Sequence, residues 1–462
     1  MARSCMKNIT VPFEISLTNS EQPVICKQVV RLIPGKRLVA FGTWGDKPIV
    51  AKLFFKRNKA QKHAKRDIAG MTILKECNIP TPEIYYEGST ADNKTQVILF
   101  EKIETVEQKS RQRLLHSLIH ELATQHVLGV LQKDLHFKNF LVTKKKIITL
   151  DGADIEKFDQ PLSKKISLDN LALFIAQLGA DSSYYRDELL EAYASLRGWR
   201  LKDADYDQVK KLIAKHQATR WANFQEKIFR NCSAFIKKTT LFATLLFDRE
   251  YDKPELRAFL SRPEEVFTTK NIQYLKQGRS STVIKTIFDG KECVIKRYNI
   301  KDFWHGLRRC LRPTRAAQSW RLSQYLCLMG IPTAKPIAFI EKRFLGFRTT
   351  SYFVMEYING PHAGDYFSKA DLNHPEVREV AKKTMALLYQ LAQFKLIHGD
   401  LKMTNILIAN LKPLLIDLDG MREYPQYSLG FKQAFEGETK RFLRNWENYP
   451  SLHKLFSENL SA

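Results

Sequence analysis

His398-Gly399-Asp400-Leu401-Lys402-Met403-Thr404-Asn405, with Leu415-Ile416-Asp417 shortly after, decides how this chain reads. Asp400 precedes Asn405 by five positions, and Asp417 follows Asn405 by twelve, at the end of a two-stranded segment. Ahead of the Asp–Asn pair, Ala381, Met385, Leu388 and Leu391 recur at helical spacing, so the pair sits on a loop that leaves an amphipathic helix. The same order occurs earlier in the chain. Lys133-Asp134-Leu135-His136-Phe137-Lys138-Asn139 and Leu150-Asp151-Gly152 repeat the spacings of five and twelve. They follow a helical stripe of Leu115, Leu118, Ile119 and Leu122.

Upstream the parallel continues, and self-similarity of this length marks a duplicated architecture. A glycine turn, Pro34-Gly35-Lys36-Arg37 or Gln277-Gly278-Arg279-Ser280, opens each half and leads through a hairpin signal, Gly45-Asp46 or Asp289-Gly290. A strand ending in lysine follows, Ile49-Val50-Ala51-Lys52 or Cys293-Val294-Ile295-Lys296. The glycine-to-lysine spacing is 17 residues in one half and 18 in the other. A helix-like stretch is then stopped at Ile79-Pro80-Thr81-Pro82 or Ile331-Pro332-Thr333, because proline removes a donor and restricts the residue before it. The next strands, Val97 to Phe100 and Tyr352 to Met355, run into Glu101 and Glu356. The expected fold is α+β: two tandem bilobal domains, each a β-rich lobe followed by a helical lobe. They are expected at residues 1–250 and 251–462, with the boundary in the polar stretch Asp248 to Pro254.

These residue types suit phosphoryl transfer, which asks for charge placement more than covalent chemistry. Asp134 and Asp400 are the candidate bases that orient an acceptor hydroxyl. Asn139 with Asp151, and Asn405 with Asp417, are the candidate ligands for Mg2+. Lys52 and Lys296 are expected on the α- and β-phosphates of ATP. Gly35, Gly278, Glu101 and Glu356 complete the nucleotide-binding candidates. A single Asp-x4-Asn would mean nothing, since loops are rich in both residues. The weight lies in the whole order occurring twice.

The second-half loop and Leu415-Ile416-Asp417 resemble the catalytic loop and metal-binding aspartate of the protein-kinase-like superfamily. Within it, the chain is most similar to the Kdo/WaaP lipopolysaccharide-core kinases and their InaA-like relatives. That likeness rests on Lys133-Asp134-Leu135-His136 with Leu150-Asp151-Gly152-Ala153, on Val294-Ile295-Lys296-Arg297-Tyr298-Asn299, and on the tail Arg441-Phe442-Leu443-Arg444-Asn445-Trp446. It implies an ATP-dependent enzyme that phosphorylates a sugar hydroxyl of the lipopolysaccharide core at the cytoplasmic face of the inner membrane. The chain departs from the superfamily pattern in three places. Gln132 stands where a histidine usually precedes the loop. The helix acid that pairs with the strand lysine is Asp67 in the first half, whereas Ser319 takes that position in the second, so Lys296 is expected to lack a carboxylate partner. Neither glycine turn has the full G-x-G-x-x-G. A protein or small-molecule kinase of the same fold, or a silent scaffold that binds acidic lipid or protein partners, remains the alternative.

Composition sets the outer limits. The 462 residues include 44% hydrophobic types, enough for large cores, and 74 Lys plus Arg against 49 Asp plus Glu, a net charge of +25. Such an excess calls for an anionic partner: nucleic acid, lipid head groups or an acidic glycan. No helix-turn-helix, zinc-finger or RNA-binding signature accompanies the charge, so nucleic acid is not expected. The basic runs are Lys56-Arg57, Lys62 to Arg66, Lys144 to Lys146, and Arg308-Arg309 with Arg312 and Arg315. Summed over one face, they would favour peripheral contact with an anionic membrane. Seven cysteines without a C-x-x-C pair fit a reducing compartment, where they act as small hydrophobes. No export signal or membrane-spanning run is read, so the expected location is cytoplasmic. Trp304, Trp320 and Trp446 are expected to pack in cores.

Overall fold

A computed structural model describes residues 9–33, 35–55, 57–107, 110–269, 272–299, 313–345 and 347–461. Pro34, Lys56, Trp304, Arg308, Arg309, Arg312, Cys5 and Cys310 lie outside these. The chain divides into two compact units, Met1–Thr219 and Arg220–Ala462.

The first unit begins with a six-stranded antiparallel sheet in the order β1-β2-β3-β4-β6-β5. Its strands are β1 (Phe13–Ile15), β2 (Val24–Ile33), β3 (Arg37–Trp44), β4 (Lys47–Phe54), β5 (Ile84–Ser89) and β6 (Gln96–Glu101). Between β4 and β5 runs helix α1 (Arg57–Glu76). The period of two along β6 sends Val97 and Leu99 to one face, where Leu38, Ala40, Ile49 and Ala51 meet them. It sends Ile98 and Phe100 to the other, against Ala60, Ala64, Met71 and Leu74 of α1. Past α1 the chain reverses at Asn78, which takes a left-handed φ of 56° just before Ile79-Pro80.

Helix α2 (Arg111–Val127) starts where the Ser110 hydroxyl accepts the Arg113 N–H, and it buries Leu115, Leu118, Ile119 and Leu122. Two short ribbons follow: β7 (Val130–Gln132) with β10 (Ile155–Lys157), and β8 (Phe140–Val142) with β9 (Ile147–Thr149). Helices α3 (Lys164–Ala176), α4 (Ser182–Leu196) and α5 (Asp203–Lys227), the last up to Thr219, close the unit around Leu171, Phe174, Leu190 and Tyr193.

The second unit repeats the plan on a seven-stranded sheet ordered β11-β12-β16-β17-β15-β14-β13. The strands are β11 (Phe235–Thr239), β12 (Ala243–Asp248), β13 (Gln273–Gln277), β14 (Ser281–Phe288), β15 (Lys291–Tyr298), β16 (Pro336–Phe344) and β17 (Phe347–Glu356). Because β12 pairs along β16, the segment ahead of Asp248 belongs to this second sheet, and the unit begins earlier than a boundary at residue 250 places it. Helix α6 (Pro254–Ser261) covers one face through Leu256, Phe259 and Leu260. Helix α7 (Arg315–Met329) packs on the other, with Trp320 fully buried and donating to the Ile228 carbonyl at 3.0 Å. Thr314 caps α7 at its start, and Gly330, at φ 72°, ends it in the left-handed conformation that glycine adopts without strain.

The helical part comprises α8 (Ala363–Lys369), α9 (Pro375–Gln393), α10 (Leu429–Arg444) and α11 (Pro450–Ser461). Ribbons β18 (Leu396–Ile397) with β21 (Arg422–Glu423), and β19 (Ile406–Ala409) with β20 (Lys412–Leu415), correspond to those of the first unit. Helix α9 buries Ala381, Met385, Leu388 and Leu391. Trp446 is buried among Phe367, Phe442 and Phe456, with ring centroids 5.0 to 5.9 Å apart, so it is a packing residue. Among the described residues Cys26, Cys77, Cys232, Cys293 and Cys327 are free thiols, and burial pushes Cys26 and Cys293 up to about 11. No described helix is long and apolar enough to cross a membrane.

Candidate active site

In each unit the strand lysine lies in register with the same point of its neighbour: Lys52 opposite Ile98, Lys296 opposite Phe353. Three residues away, Ile49 pairs with Glu101 and Cys293 with Glu356, so the two sheets present their lysines at equivalent positions.

In the first unit Lys52 Nζ lies 2.7 Å from Asp67 Oδ2 on α1 and 3.8 Å from Asp151 Oδ1. Asp67 is buried, and its Oδ1 accepts the Gly152 N–H at 3.0 Å, so one carboxylate ties the strand lysine, the helix and the loop after Asp151 together. Gly152 lets the loop lie directly on the helix backbone: a Cβ there would stand 2.0 Å from the Asp67 carbonyl oxygen, and one at Gly70 would stand 1.9 Å from that of Gly152. Burial raises the Asp67 carboxyl above its ordinary value while Lys52 pulls the other way. Burial acts upward on Asp151 as well, but Lys52 and Arg37 outweigh it and hold that carboxyl below the usual range.

The second unit builds the lysine contact differently. Lys296 Nζ lies 2.5 Å from Asp417 Oδ1 and 2.7 Å from Asp419 Oδ2. Ser319 does occupy the helix position expected of an acid, yet Lys296 does not lack a carboxylate partner: Asp419, two residues past Asp417, supplies it. The Ser319 hydroxyl donates to Asp419 Oδ1 at 3.0 Å, and the Tyr298 hydroxyl donates to the same oxygen at 2.6 Å. Burial works to raise the Asp417 carboxyl, but Lys296 and, more weakly, Lys276 hold it low.

The loop ahead is shared. Asn139 Nδ2 donates to the Asp134 carbonyl at 2.9 Å, and Asn405 Nδ2 to the Asp400 carbonyl at 2.8 Å. The Leu150 N–H reaches the Asn139 carbonyl at 2.7 Å and Ile416 the Asn405 carbonyl at 3.0 Å, locking each loop to the strand that ends in aspartate. Both aspartates leave that strand with positive φ, 62° at Asp151 and 58° at Asp417. Such strain in a non-glycine residue is typical of a functional position. Lys402 Nζ approaches Asp400 Oδ1 at 2.9 Å.

The supports differ. His398 is buried, which draws its pKa down, and its Nε2 donates to the Ile416 carbonyl at 3.0 Å, bracing the residue before Asp417. At Gln132 the side chain donates instead to Gln125 Oε1 at 2.7 Å, and Gln125 to the Thr149 hydroxyl at 2.9 Å, which binds α2, the loop and β9. In the second unit α10 adds a clamp: Glu438, buried, accepts the Gly399 N–H at 2.9 Å, and Arg441 donates to the Gly399 carbonyl.

Gly35, at φ 68°, turns the chain between β2 and β3, and Gly278 turns it between β13 and β14, its N–H on the Ser281 carbonyl at 3.1 Å. Each turn carries a cation, Arg37 or Lys276, whose charge is felt at the aspartate below. Glu101 and Glu356 end their strands apart from the lysines. Glu101 faces the Glu83 N–H at 3.4 Å, and Glu356 accepts the Tyr251 hydroxyl.

Among the described residues no three His, Cys, Asp or Glu side chains gather as a metal cage. Each unit offers one carboxylate and one amide oxygen, which suits a hard cation that takes its remaining oxygens from phosphate and water. Asp151 Oδ1 is buried and accepts no hydrogen bond, an orphan such a cation would satisfy.

Residues 268–426 match the lipopolysaccharide kinase (Kdo/WaaP) family. The matched stretch lies within the second unit and spans Lys296, Asp400, Asn405, Asp417 and Asp419, and the chain is a phosphotransferase. Kinases use ATP in general. Among solved structures, a putative fructosamine-3-kinase from Haemophilus somnus 129PT is similar at a TM-score of 0.30 and 11% identity, over 43% of this chain and 84% of that one. No curated protein matches the sequence.

Proposed function

We propose that this kinase phosphorylates a sugar hydroxyl of the lipopolysaccharide core, working as a peripheral protein on the cytoplasmic face of the inner membrane. The supporting observation is the lysine, amide and carboxylate set of the second unit inside a stretch that matches lipopolysaccharide kinases. The net charge of +25 suits an acidic glycolipid acceptor.

When bound, Mg-ATP would supply the phosphoryl group and neutralise the charge that its transfer gathers. Asp417 and Asn405 would hold the metal, and Lys296 would meet the phosphates, with Asp419 keeping the ammonium in place. Asp400 would orient the acceptor hydroxyl and take its proton as that oxygen bonds to the γ-phosphorus and the bond to the departing ADP breaks. In the first unit we assign Asp151 and Asn139 to the metal, Lys52 to the phosphates, Asp67 to holding the ammonium from α1, and Asp134 to the acceptor hydroxyl. Arg37 and Lys276 are added here to the phosphate-facing groups, since both already pull on the metal-site aspartates.

Incubating the protein with labelled ATP and a panel of lipopolysaccharide-core glycans, proteins and small alcohols tests the acceptor. Label in the core glycan alone is the expected result. Label only in a protein or a small alcohol overturns the acceptor, and no label in any member supports the silent scaffold.

A further inference from the structure

Two hairpins of the second unit turn side by side at one end of its sheet. Ala243 of β12 pairs with Lys342 of β16, and the Arg343 N–H donates to the Phe242 carbonyl at 2.7 Å, so the β11–β12 turn abuts the β16–β17 turn. At these turns Leu241, Phe242, Phe344, Leu345 and Phe347 are exposed to 73, 69, 66, 81 and 48%. Isolated exposed apolar residues need no explanation, but five at two adjacent turns form a patch of the kind that marks an interaction site.

The ground around the tips is basic. Lys237 and Lys238 lie on β11, Lys342 and Arg343 on β16, and Arg348 on β17. Behind the tips, on the α7 face, is a cleft of about 660 Å³ lined by Lys237, Arg315, Arg321, Arg343 and Arg348. Its two acids are already engaged. Glu341 takes both Arg343 and Arg348, at 3.2 and 2.9 Å, and Asp419 is held by Lys296. Lys237 and Arg315 have no carboxylate partner among the described residues, and Arg343 Nε is buried without an acceptor.

We propose that this end of the sheet docks the chain on an anionic lipid bilayer, the apolar tips entering the interfacial layer while the cleft's cations meet head-group phosphates. A bilayer presents an apolar layer directly beneath a sheet of phosphates, which is the order in which tips and cations are stacked here. A folded acidic partner would satisfy the charge, yet five bulky side chains on projecting turns suit a medium that can be penetrated. The inference deepens the proposed function, since a membrane-embedded acceptor would be met at such a surface. Its test needs neither nucleotide nor acceptor, so either reading can fail alone.

Flotation of the full chain with phosphatidylcholine vesicles, with and without phosphatidylglycerol, reads binding directly. Binding is expected only with the anionic lipid and should weaken as salt rises. Phe242→Ser with Phe344→Ser should lower it at least about tenfold without moving the melting temperature, and Lys237→Glu with Arg315→Glu should do the same. Leu241→Trp should gain blue-shifted emission on anionic vesicles. Equal binding to neutral vesicles, or full binding by the folded serine variant, overturns the proposal. So does a wild-type dimer that the serine changes dissolve. If the serine variant proves unstable, an unshifted Leu241→Trp spectrum overturns it instead.

Discussion

Lys296 is gripped by Asp419 at 2.7 Å, from the same loop that carries Asp417, where Lys52 takes its partner Asp67 from a helix at the same distance. The same ionic contact is reached by two routes in one chain. Asp419→Asn should therefore behave as loss of a lysine-positioning acid, lowering kcat/KM by on the order of tenfold or more. Steady-state kinetics on the labelled-ATP assay checks it, and unchanged kcat/KM would remove Asp419 from the site.

Loss of the proposed base should be more severe. Asp134→Ala combined with Asp400→Ala is expected to abolish phosphate incorporation while circular dichroism and melting stay near wild type, because both aspartates lie on the surface side of their loops. Comparing the two single variants shows which unit turns over. Full activity in the double variant would refute the assignment.

Nucleotide binding is separable from turnover. A protein that binds Mg-ATP at a hundred times its Kd gains about 2.7 kcal/mol, an easily measured rise in melting temperature. That rise should shrink in Lys52→Met or Lys296→Met, and a shift untouched by both would place the nucleotide elsewhere.

Acid should weaken the first unit through a buried histidine. His126 donates from Nε2 to Asn170 Oδ1 at 3.1 Å, its Nδ1 accepts the Tyr193 hydroxyl at 2.7 Å, and Asn170 continues to the Gln132 carbonyl at 2.9 Å, at the edge of the Asp134 loop. Burial, with Arg197 adding to it, draws His126 down from 6.5 to about 4. The unfolded chain thus takes up this proton first. The group's contribution is complete above its unfolded value and is lost as pH falls toward the folded one, about 3 kcal/mol in all. Urea midpoints measured from neutral pH down to the lower value should fall for wild type and fall less steeply for His126→Gln.

Gly152→Ala should cost about 2 kcal/mol or more, since the added methyl collides with the helix backbone and neither side can yield locally. Denaturant titration reads it. A neutral effect would mean that α1 and the loop are not in contact in solution.

Much of this architecture was legible in the sequence because its signals are local and doubled. The stripes of α2 and α9, the proline stops after α1 and α7, and the hairpin turns each follow from a few neighbouring residues. Lys52 meeting Asp67 was readable as a helix acid at the right distance from a strand lysine. Asp419 is hidden from that rule, because the helix position where an acid is expected holds Ser319. The signal lay in Asp417-Leu418-Asp419-Gly420, where a second carboxylate follows the first at a spacing the first half fills with Ala153. The Gln132–Gln125–Thr149 chain joins residues whose types say nothing about one another. The pairing of β12 with β16 spans a long stretch of chain, and a short apolar run carries no mark of the sheet it will join.

The bare backbone contact between Gly70 and Gly152 makes α1 and the loop beyond Asp151 a single rigid piece. If that helix swings outward, it must carry away both the lysine's counterion and the loop that bears Asp151, so the lysine and carboxylate cluster of the first unit is assembled or dismantled in one motion. The second, whose lysine is anchored by its own loop, has no such throttle: displacing α7 removes one hydroxyl from Asp419 and leaves the ion pair standing.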